Sequence, residues 1–379
     1  MSDNSAAWID SPYADLTIRD APVPKPGAGQ LLVEVRAVAV NPLDAIIQSN
    51  GTVMYGWLHY PVILGEDVAG VVVGTGADVN DFAVGDRVAA YATGLEKGRD
   101  AVSESGFQAY AVVDASLAVA LPATTTFEDA AVLPLAVSTA AAGLFEKDQL
   151  ALDYSRLADA APRDDVVVIW GGATAVGGNA IQLARAAGYR VITTASDKNH
   201  DRMRRLGAEA VFDYRDPSAA ARIIDEIGDS AVAGILAVAV GSAEPCLRIA
   251  RATGATRIAM ASPPVSFYDQ PRRRGFSLAR IRLFLTLGTR TALLQVRSRS
   301  RGIRASFIWG SAIATSPVGP AVWGEYLPTA LAAGSHQLYP EARIAGDGLS
   351  AIQEAIDILR RGVSAQKLVI RLDPASPRS

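Results

Sequence analysis

VVVIWGGATAVGGNAIQLARAAG, residues 166–188, joins an apolar strand to a helix through a turn rich in glycine. Small residues in such a turn let the backbone approach a pyrophosphate, and the free N–H groups that begin the next helix, predicted at 179–187, favour the anion. Thr174 replaces the middle glycine of the G-x-G-x-x-G pattern, while Gly172 and Gly177 keep the outer two. The turn predicts a dinucleotide site, the alternative being a tight turn whose glycines serve packing alone.

Apolar strands alternate with helices downstream of this turn. The strands read RVITTAS, AVFDY, AGILAVAV and ASFIWGS, and the helices between them read HDRMRRLG and AAARIIDEIG. Parallel strands need crossover helices, and strands that are buried on both faces are continuous apolar runs. The pattern predicts an α/β fold with a doubly wound parallel sheet.

Short strands fill the region upstream of the turn. They read QLLVEVRAVAV, VAGVVVGTG, DRVAAYA and FQAYAVV, each bounded by Gly, Asp or Pro, and an Asn-Pro turn closes the first. This spacing is typical of a β-barrel, and near Thr126 it changes to longer, alanine-rich helical segments. We predict a barrel domain at 1–130 that also takes the last strands, HQLYPEARI and KLVIRL, within 325–379, and a nucleotide-binding domain at 131–324.

The chain has 379 residues, a formal net charge of -3 and a pI of about 5.7. This charge gives no global attraction to nucleic acid, so we expect no nucleic-acid partner. The single cysteine, Cys246, excludes an internal disulfide and suits the reducing cytoplasm.

The first residues lack the basic start and apolar run of a signal peptide, and three arginines interrupt the candidate membrane stretch Ser277–Val296. We therefore expect neither a leader nor a membrane span.

The second strand of the predicted sheet bears on the choice of cofactor. An NAD site ends that strand with an Asp or Glu that binds the ribose hydroxyls, about 20 residues after the turn. Here the strand ends at Ser196, followed by Asp197 and Lys198, with Arg202 a turn later. A hydroxyl and a cation suit a 2′-phosphate better than a carboxylate does, so we predict NADP(H). The alternative is that Lys198 and Arg202 are ordinary solvated charges.

Seven stretches, in chain order, resemble the zinc-independent medium-chain dehydrogenase/reductase superfamily over nearly the whole chain. They are QLLVEVRAVAVNPLDA, LGEDVAGVVVGTG, VGDRVAAY, GFQAYAVV, LPLAVSTAAAGLF, GGATAVGGNAIQLARAAGY and LGAEAVFDYRDP. The segments GGATAVG, TTASDKN and VFDYRDP resemble the matching segments of trans-acting enoyl reductases of polyketide synthases and of quinone-oxidoreductase-like proteins. The resemblance implies a GroES-like substrate domain formed by both chain ends, a Rossmann domain that binds NADP(H), and a monomer or homodimer.

The resemblance also implies which residues touch the cofactor. Together with Gly172 of the turn, they are Pro42, Asp44, Ala45, Thr139, Ala173, Thr174, Ala175, Val176, Ser196, Lys198, Asn199, Tyr214 and Ser364. The chain departs from zinc-dependent members, in which a Gly-His-Glu motif and a cysteine supply metal ligands, because Gly65-Glu66-Asp67 and the sequence NPLD stand there. We therefore predict no metal. Ile46 stands where some enoyl reductases of this type carry a lysine.

The lack of a predicted metal bears on the reaction. Carbonyl reduction builds a localised alkoxide that a Lewis acid stabilises, whereas conjugate reduction of an enone or enoyl thioester spreads the charge over an enolate. We predict NADPH-dependent reduction of an activated carbon–carbon double bond. The alternatives are a quinone oxidoreductase and a non-catalytic module that binds NADPH or a carrier protein.

Three residues are predicted to take part in catalysis. Tyr55 is a candidate proton donor, or else an aromatic wall of the substrate site. Thr139 is predicted to meet the nicotinamide ribose or the substrate carbonyl, with a helix N-cap as the alternative. Asn41 is the third candidate, although Asn41 and Asp44 also suit a turn that satisfies its own backbone.

Two further segments are predicted to meet the substrate or its carrier. Phe307, Ile308 and Trp309 end the last strand of the sheet, where ligands of such sheets bind, so we predict that they line the substrate site; a place in the core is the alternative.

The segment from Arg272 to Arg304 holds ten arginines and no acidic residue. It is a candidate surface for an acidic carrier protein that delivers an acyl substrate, for a phosphopantetheine arm or for the phosphate of CoA. A membrane surface, a partner subunit and a solvated helix are the alternatives.

Overall fold

The computed structural model of the chain describes residues 4–50, 54–157, 159–263, 267, 272 and 278–372. The chain folds as two compact units. The first unit comprises Met1–Leu135, Phe267–Arg274 and Trp323–Ser379, and the second comprises Ala136–Ser266 and Gly275–Val322. The domain boundaries at residues 130 and 325 stay a prediction.

The strands and α-helices of the described residues have the following bounds. The strands are β1 (Asn4–Ile9), β2 (Leu16–Ala21), β3 (Gln30–Ala39), β4 (Val62–Ile63), β5 (Asp67–Thr75), β6 (Arg87–Tyr91), β7 (Tyr110–Asp114), β8 (Ala118–Ala120), β9 (Val166–Trp170), β10 (Arg190–Thr194), β11 (Ala210–Phe212), β12 (Val232–Ala237), β13 (Arg257–Met260), β14 (Arg304–Phe307), β15 (Glu341–Asp347) and β16 (Gln366–Arg371). The α-helices are α1 (Pro42–Asn50), α2 (Phe127–Ala130), α3 (Pro134–Phe145), α4 (Ala175–Ala186), α5 (His200–Leu206), α6 (Ala219–Ile227), α7 (Ala243–Thr253), α8 (Leu278–Arg299), α9 (Leu327–Ala332) and α10 (Ile352–Arg361).

The second unit is built on a six-stranded parallel sheet in the order β11-β10-β9-β12-β13-β14. Strand β9 is fully buried because sheet neighbours flank it and its apolar side chains pack on both faces. The strand order reverses beside β9, and ligands of such sheets bind at this switch point, outside the carboxyl ends of the strands. The glycine-rich turn that follows Trp170 therefore lies where a doubly wound sheet binds its ligand.

The first unit is built on a seven-stranded sheet in which β15-β16-β3-β5-β6-β8 follow one another and β7 pairs with β3. Its pairs are antiparallel except β15 with β16, and a separate three-stranded sheet has the order β2-β1-β4. The ten-residue strand β3 contacts β5, β7 and β16, so it is the centre of this unit. Strands from both parts of the sequence meet there, which fits the prediction for the last strands.

The structure differs from the sequence predictions at several boundaries. The Asn-Pro step predicted as a turn begins helix α1, because proline lacks the N–H that the first helical position does not need. Helix α4 begins at Ala175 rather than at 179, with Thr174 as its N-cap. A π-helical segment, Pro320–Tyr326, precedes the short helix α9.

One described stretch, Phe127–Phe145, is long and apolar enough to cross a membrane by length and composition alone. Its apolar window is 72% buried inside the structure, as in the core helix of a globular protein. In the structure this stretch holds α2 and α3, which are interrupted before Pro134. The stretch is therefore weak support for a membrane span.

Candidate functional site

A buried ion pair lies where β3, β5 and β16 of the first unit meet. Asp67 begins β5 and pairs with Ala39 of β3, which also pairs with β16, so Lys367 of β16 reaches the same place. Lys367 Nζ lies 2.5 Å from Asp67 Oδ2, and the two side chains are 5% and 0% exposed. Asn41 Nδ2 donates to the same oxygen at 2.6 Å, and Leu135 N–H donates to Asp67 Oδ1 at 2.7 Å. The charge of Asp67 is thus fully compensated.

Asp44 is a second buried carboxyl beside this pair. Its Oδ2 accepts a hydrogen bond from Asn41 N–H at 2.8 Å, and its Oδ1 accepts one from Gly65 N–H at 3.2 Å. Burial raises the pKa of Asp44 to about 7, and the charge of Asp67 adds to the rise, while the bond from Asn41 N–H opposes it. Asp44 therefore fixes the start of α1 against the loop before β5, and its predicted contact with a cofactor stays a prediction.

Tyr55, the predicted proton donor, is 3% exposed in the first unit. Its ring centroid lies 5.1 Å from that of Trp57, which matches the alternative of an aromatic wall as well. Burial, and then the nearby Glu66 and Glu96 carboxyls, raise the pKa of Tyr55 above its ordinary value. A phenol in this environment holds its proton across the physiological range, as a proton donor must before it acts.

The glycine-rich turn of the second unit combines tight packing with an open helix terminus. Gly171 has φ +98°, and a Cβ on Gly177 would lie 2.2 Å from Gly171 O, so these glycines are required by the turn itself. Thr174 Oγ1 accepts from Gly177 N–H at 2.9 Å and donates to Gly171 O at 2.8 Å. The first N–H groups of a helix have no intrahelical partner, which leaves those of Ala175 and Val176 at the open end of α4. The residues fit a pyrophosphate.

The end of β10 carries the residues predicted to bind a 2′-phosphate. Ser196 Oγ accepts a hydrogen bond from Asn199 Nδ2 at 3.2 Å, and Lys198 is exposed in the 3-10 helix Asp197–Asn199. Tyr214 follows the neighbouring strand β11 and is 51% exposed. Its neighbour Arg215 lies 6.0 Å from the Tyr214 ring centroid. A hydroxyl and two cations therefore follow the ends of neighbouring strands, and one of the cations, Arg215, pairs with Asp213 at 2.6 Å.

Thr139 lies inside α3 rather than at its start, so the N-cap alternative is wrong. A Cβ on Gly310 would lie 2.6 Å from Thr139 Oγ1, and a Cβ on Gly143 would lie 2.7 Å from Ile308 Cδ1. Helix α3 therefore packs directly on the segment after β14, and the second unit brings Thr139 close to the predicted substrate-lining residues. Ile308 is 4% exposed and Phe307 is 43% exposed, so this pair includes one core residue and one surface residue.

The remaining predicted residues have different surroundings. Pro42 is exposed at the start of α1, and Ser364 is exposed in the turn before β16. Ala45 is fully buried, and its carbonyl oxygen accepts a hydrogen bond from Arg360 at 3.1 Å. Trp309 leads into the 3-10 helix Gly310–Thr315. The cofactor and substrate roles of these residues stay predictions.

Some residues of these sites escaped the sequence predictions. Lys367 and Tyr91 contact the acidic residues of the first unit, and Arg215 lies beside Tyr214 and pairs with Asp213. Lys367 carried a signal, because a lysine at the head of the apolar strand KLVIRL needs a buried partner. In the sequence, Glu66 is distinguished only as the residue that stands where zinc-dependent members have a histidine.

The donor set of the first unit does not fit a zinc ion. Catalytic zinc takes about three N, S or O ligands from protein. Among the described residues, no group of three His, Cys, Asp or Glu side chains is arranged to hold a metal. The oxygens of Asp44 and Asp67 already accept hydrogen bonds from Asn41, Gly65 and Leu135.

Comparisons with known proteins agree with both units. The family model of the alcohol dehydrogenase GroES-like domain matches residues 27–123, and that of the zinc-binding dehydrogenases matches residues 175–263. Dehydrogenase pigH of Monascus ruber is 42% identical over 98% of this chain and 100% of its own length. Trans-enoyl reductase himH of Aspergillus japonicus is 37% identical over 90% of each protein.

Solved structures share the fold. The CurK enoyl reductase aligns with a TM-score of 0.70 at 19% identity, over 98% of this chain and 99% of that one. A mycobacterial protein, Rv1454c, solved in complex with NADPH, aligns with a TM-score of 0.66 at 22% identity, over 97% of this chain and 99% of that one. At these identities the likeness establishes the fold alone.

The chain belongs to the medium-chain dehydrogenase/reductase superfamily, an oxidoreductase family that joins a Rossmann domain to a GroES-like domain. Within it, the chain resembles the trans-enoyl reductases. The predicted fold class and the predicted family resemblance are both confirmed.

Proposed function

We propose that this protein reduces an activated carbon–carbon double bond, in an enoyl thioester or an enone, with NADPH and without a metal. The observation that carries the proposal is the open helix terminus at Ala175 and Val176, at the switch point of the parallel sheet, in a chain similar to proteins named trans-enoyl reductases. The cytoplasm is the proposed location, because the one cysteine, Cys246, is a buried free thiol.

When bound, NADPH supplies the hydride, and the chain's own residues hold it in place. The N–H groups of Ala175 and Val176 and the positive end of α4 bind the pyrophosphate. Ser196 and Lys198 suit a 2′-phosphate, because a hydroxyl and a cation complement its charge. Tyr55 holds the proton that the α-carbon of the substrate receives, since burial keeps its phenol protonated.

The reaction class is tested with a substrate panel. We expect the purified protein to oxidise NADPH in the presence of enoyl thioesters or enones, with one hydride and one proton added across the double bond. Absorbance of NADPH and mass spectrometry of the product measure both. Turnover of quinones alone would favour a quinone oxidoreductase, and saturable NADPH binding without turnover of any substrate would favour a non-catalytic module.

The cofactor preference depends on the end of β10. In a Ser196→Asp, Lys198→Ala variant, we expect the preference for NADPH over NADH to fall by about tenfold to a hundredfold, because a charge-assisted hydrogen bond contributes roughly 1.5–3 kcal/mol. Dissociation constants for both cofactors measure the change. Lys97→Ala, at an exposed lysine of the first unit, is the control. An unchanged preference in the double variant would contradict the assignment of the phosphate site.

We further propose that the exposed face of α8 binds an acidic protein that carries the acyl substrate. Helix α8 is 22 residues long and exposes Ile281, Leu285 and Val296 by 41%, 64% and 66%. These positions lie on one side of an ideal helix, and the exposed Arg282 and Arg299 lie next to them. Arginine complements carboxylates and phosphates, so an acidic carrier matches both the charge and the apolar strip.

Charge reversal tests this surface. In an Arg282→Glu, Arg299→Glu variant, we expect KM for a carrier-bound substrate to rise roughly tenfold or more while KM for the free thioester stays unchanged, because these charges guide association rather than chemistry. Arg343→Glu, at an exposed arginine on β15, is the matched control. An equal effect on both substrates would contradict the proposal. So would loss of self-association, or of binding to anionic vesicles, without an effect on the carrier-bound substrate.

A further inference from the structure

Glu66 is a buried carboxyl with an incomplete set of hydrogen bonds. The residue is 1% exposed and lies immediately before β5. Tyr91 OH, from β6, donates to Glu66 Oε1 at the long distance of 3.4 Å. Glu66 Oε2 is buried and has no hydrogen-bond partner among the described residues. A buried carboxylate that has one oxygen without a hydrogen-bond partner raises the free energy of the folded state. A neutral carboxylic acid raises it less, because it has no full charge to compensate.

The groups around Glu66 favour its neutral form. Asp44 on α1, Glu96 in the loop after β6 and Asp67 on β5 all raise the pKa of Glu66 through their charges, after burial, which is the largest cause. The hydrogen bond from Tyr91 lowers the pKa, but by less than burial and these charges raise it. These effects together hold the pKa of Glu66 well above its ordinary value.

Among the described residues, the cation of this cluster is Lys367, and it is already engaged. The ammonium of Lys367, on β16, binds Asp67 and donates a hydrogen bond to Val132 O at 3.3 Å. Tyr55 is a buried residue of the same unit, and the charge of Glu66 raises its pKa, after burial, which is the largest cause. The charge of Glu66 therefore acts on the proposed proton donor.

We propose that Glu66 is a positioning residue that works as a neutral carboxylic acid, and that its ionisation sets the alkaline limit of turnover. The proposal rests on the proposed reductase function and on Tyr55 as its proton donor. Conjugate reduction builds negative charge on an enolate, and an ionised carboxyl in the same dry cluster repels that charge. Loss of the Glu66 proton therefore slows the reaction without any loss of contact to the substrate.

The same group has a separate effect on stability. A folded-state pKa above the unfolded value of about 4.3 gives stability that is present at acid pH and is lost as the pH rises through the folded pKa. Glu66 therefore makes the wild-type protein less stable at alkaline pH than a variant with a neutral side chain. We expect Glu66→Gln to unfold at a higher temperature than the wild type at alkaline pH.

The test compares Glu66→Gln with Glu354→Gln, whose glutamate is 63% exposed and pairs with Arg361 on the surface. For the wild type and Glu354→Gln, we expect kcat/KM to fall about tenfold per pH unit above the pKa of Glu66. Glu66→Gln removes this alkaline limb. Any limb that remains belongs to other groups, such as Asp44, whose pKa is about 7. Stopped-flow or steady-state oxidation of NADPH across the neutral and alkaline range measures the profiles.

A second variant changes the limb without removing the acid. Tyr91→Phe deletes the hydrogen bond that lowers the pKa of Glu66, so the alkaline limb is expected to move to higher pH. An unchanged limb in both variants would overturn the proposal. If no substrate is turned over, the proposed function fails, but thermal unfolding against pH still tests the protonation of Glu66. Equal pH dependence of unfolding in the wild type and Glu66→Gln would then overturn it as well.

Discussion

Replacement of Lys367 by Met is expected to lower the free energy of unfolding by about 3–5 kcal/mol, because it leaves a fully buried carboxylate without its cation. Asp67 is 0% exposed, and its remaining donors are the side-chain amide of Asn41 and the N–H of Leu135. Two hydrogen bonds stabilise the carboxylate less than an ammonium at 2.5 Å does. Urea unfolding followed by circular dichroism measures the loss.

Two variants make this result specific. Lys97 is exposed, so Lys97→Met is expected to change stability by less than about 0.5 kcal/mol. The double variant Asp67→Asn, Lys367→Met removes both charges and is expected to recover part of the loss, since a neutral pair has no uncompensated charge. A Lys367→Met protein as stable as Lys97→Met would show that the pair does not hold β5 and β16 together.

Replacement of Gly177 by Ala is expected to weaken NADPH binding by roughly tenfold to a hundredfold, which corresponds to the 1–3 kcal/mol of an overpacked site. The new Cβ would lie 2.2 Å from Gly171 O and 2.8 Å from Gly172 Cα, so the turn must open. Opening moves the N–H groups that begin α4 away from the pyrophosphate. Titration of the protein with NADPH, followed by fluorescence, measures the dissociation constant.

Gly288 is the matched control for this substitution. It also lies in a helix, but a Cβ there would meet nothing within 4 Å. Gly288→Ala is expected to leave NADPH binding unchanged and to stabilise α8 by up to about 1 kcal/mol. Wild-type affinity in a folded Gly177→Ala protein would mean that the turn does not hold the cofactor.

The second unit was predictable because its strands are buried on both faces. Val166 to Ile169 are 0% exposed, and such a run has one interpretation once a helix follows it. The glycine-rich turn was predictable because a buried strand, β9, directly precedes it and a helix, α4, directly follows it. Local sequence therefore predicted the glycine-rich turn and the sheet apart from β13, although helix α4 begins four residues earlier than predicted.

The first unit was harder to predict because its contacts join distant parts of the chain. Asp67 and Lys367 form one ion pair, but they are 300 residues apart, and the residues around each one do not predict its partner. Strands β1, β2, β4 and β8 went unpredicted, because β2 has mostly exposed side chains and β4 and β8 have two and three residues. The prediction of a turn at the Asn-Pro step was wrong. The carboxyl of Asp44 accepts a hydrogen bond from Asn41 N–H and so stabilises the start of helix α1 there.

The place of β16 has a consequence for synthesis on the ribosome. Strand β3 emerges early, but the partner on one of its edges, β16, is made after the whole parallel sheet. Until Lys367 leaves the exit tunnel, Asp67 lacks the ammonium that it pairs with in the structure. Residues Ala37, Val38 and Ala39 of β3 also lack the strand that later pairs with them, whereas the first half of β3 can already pair with β7. The nascent first unit therefore waits for its final strand, while the second unit already has every strand it needs. Chaperones that cover open strand edges would be needed in that interval.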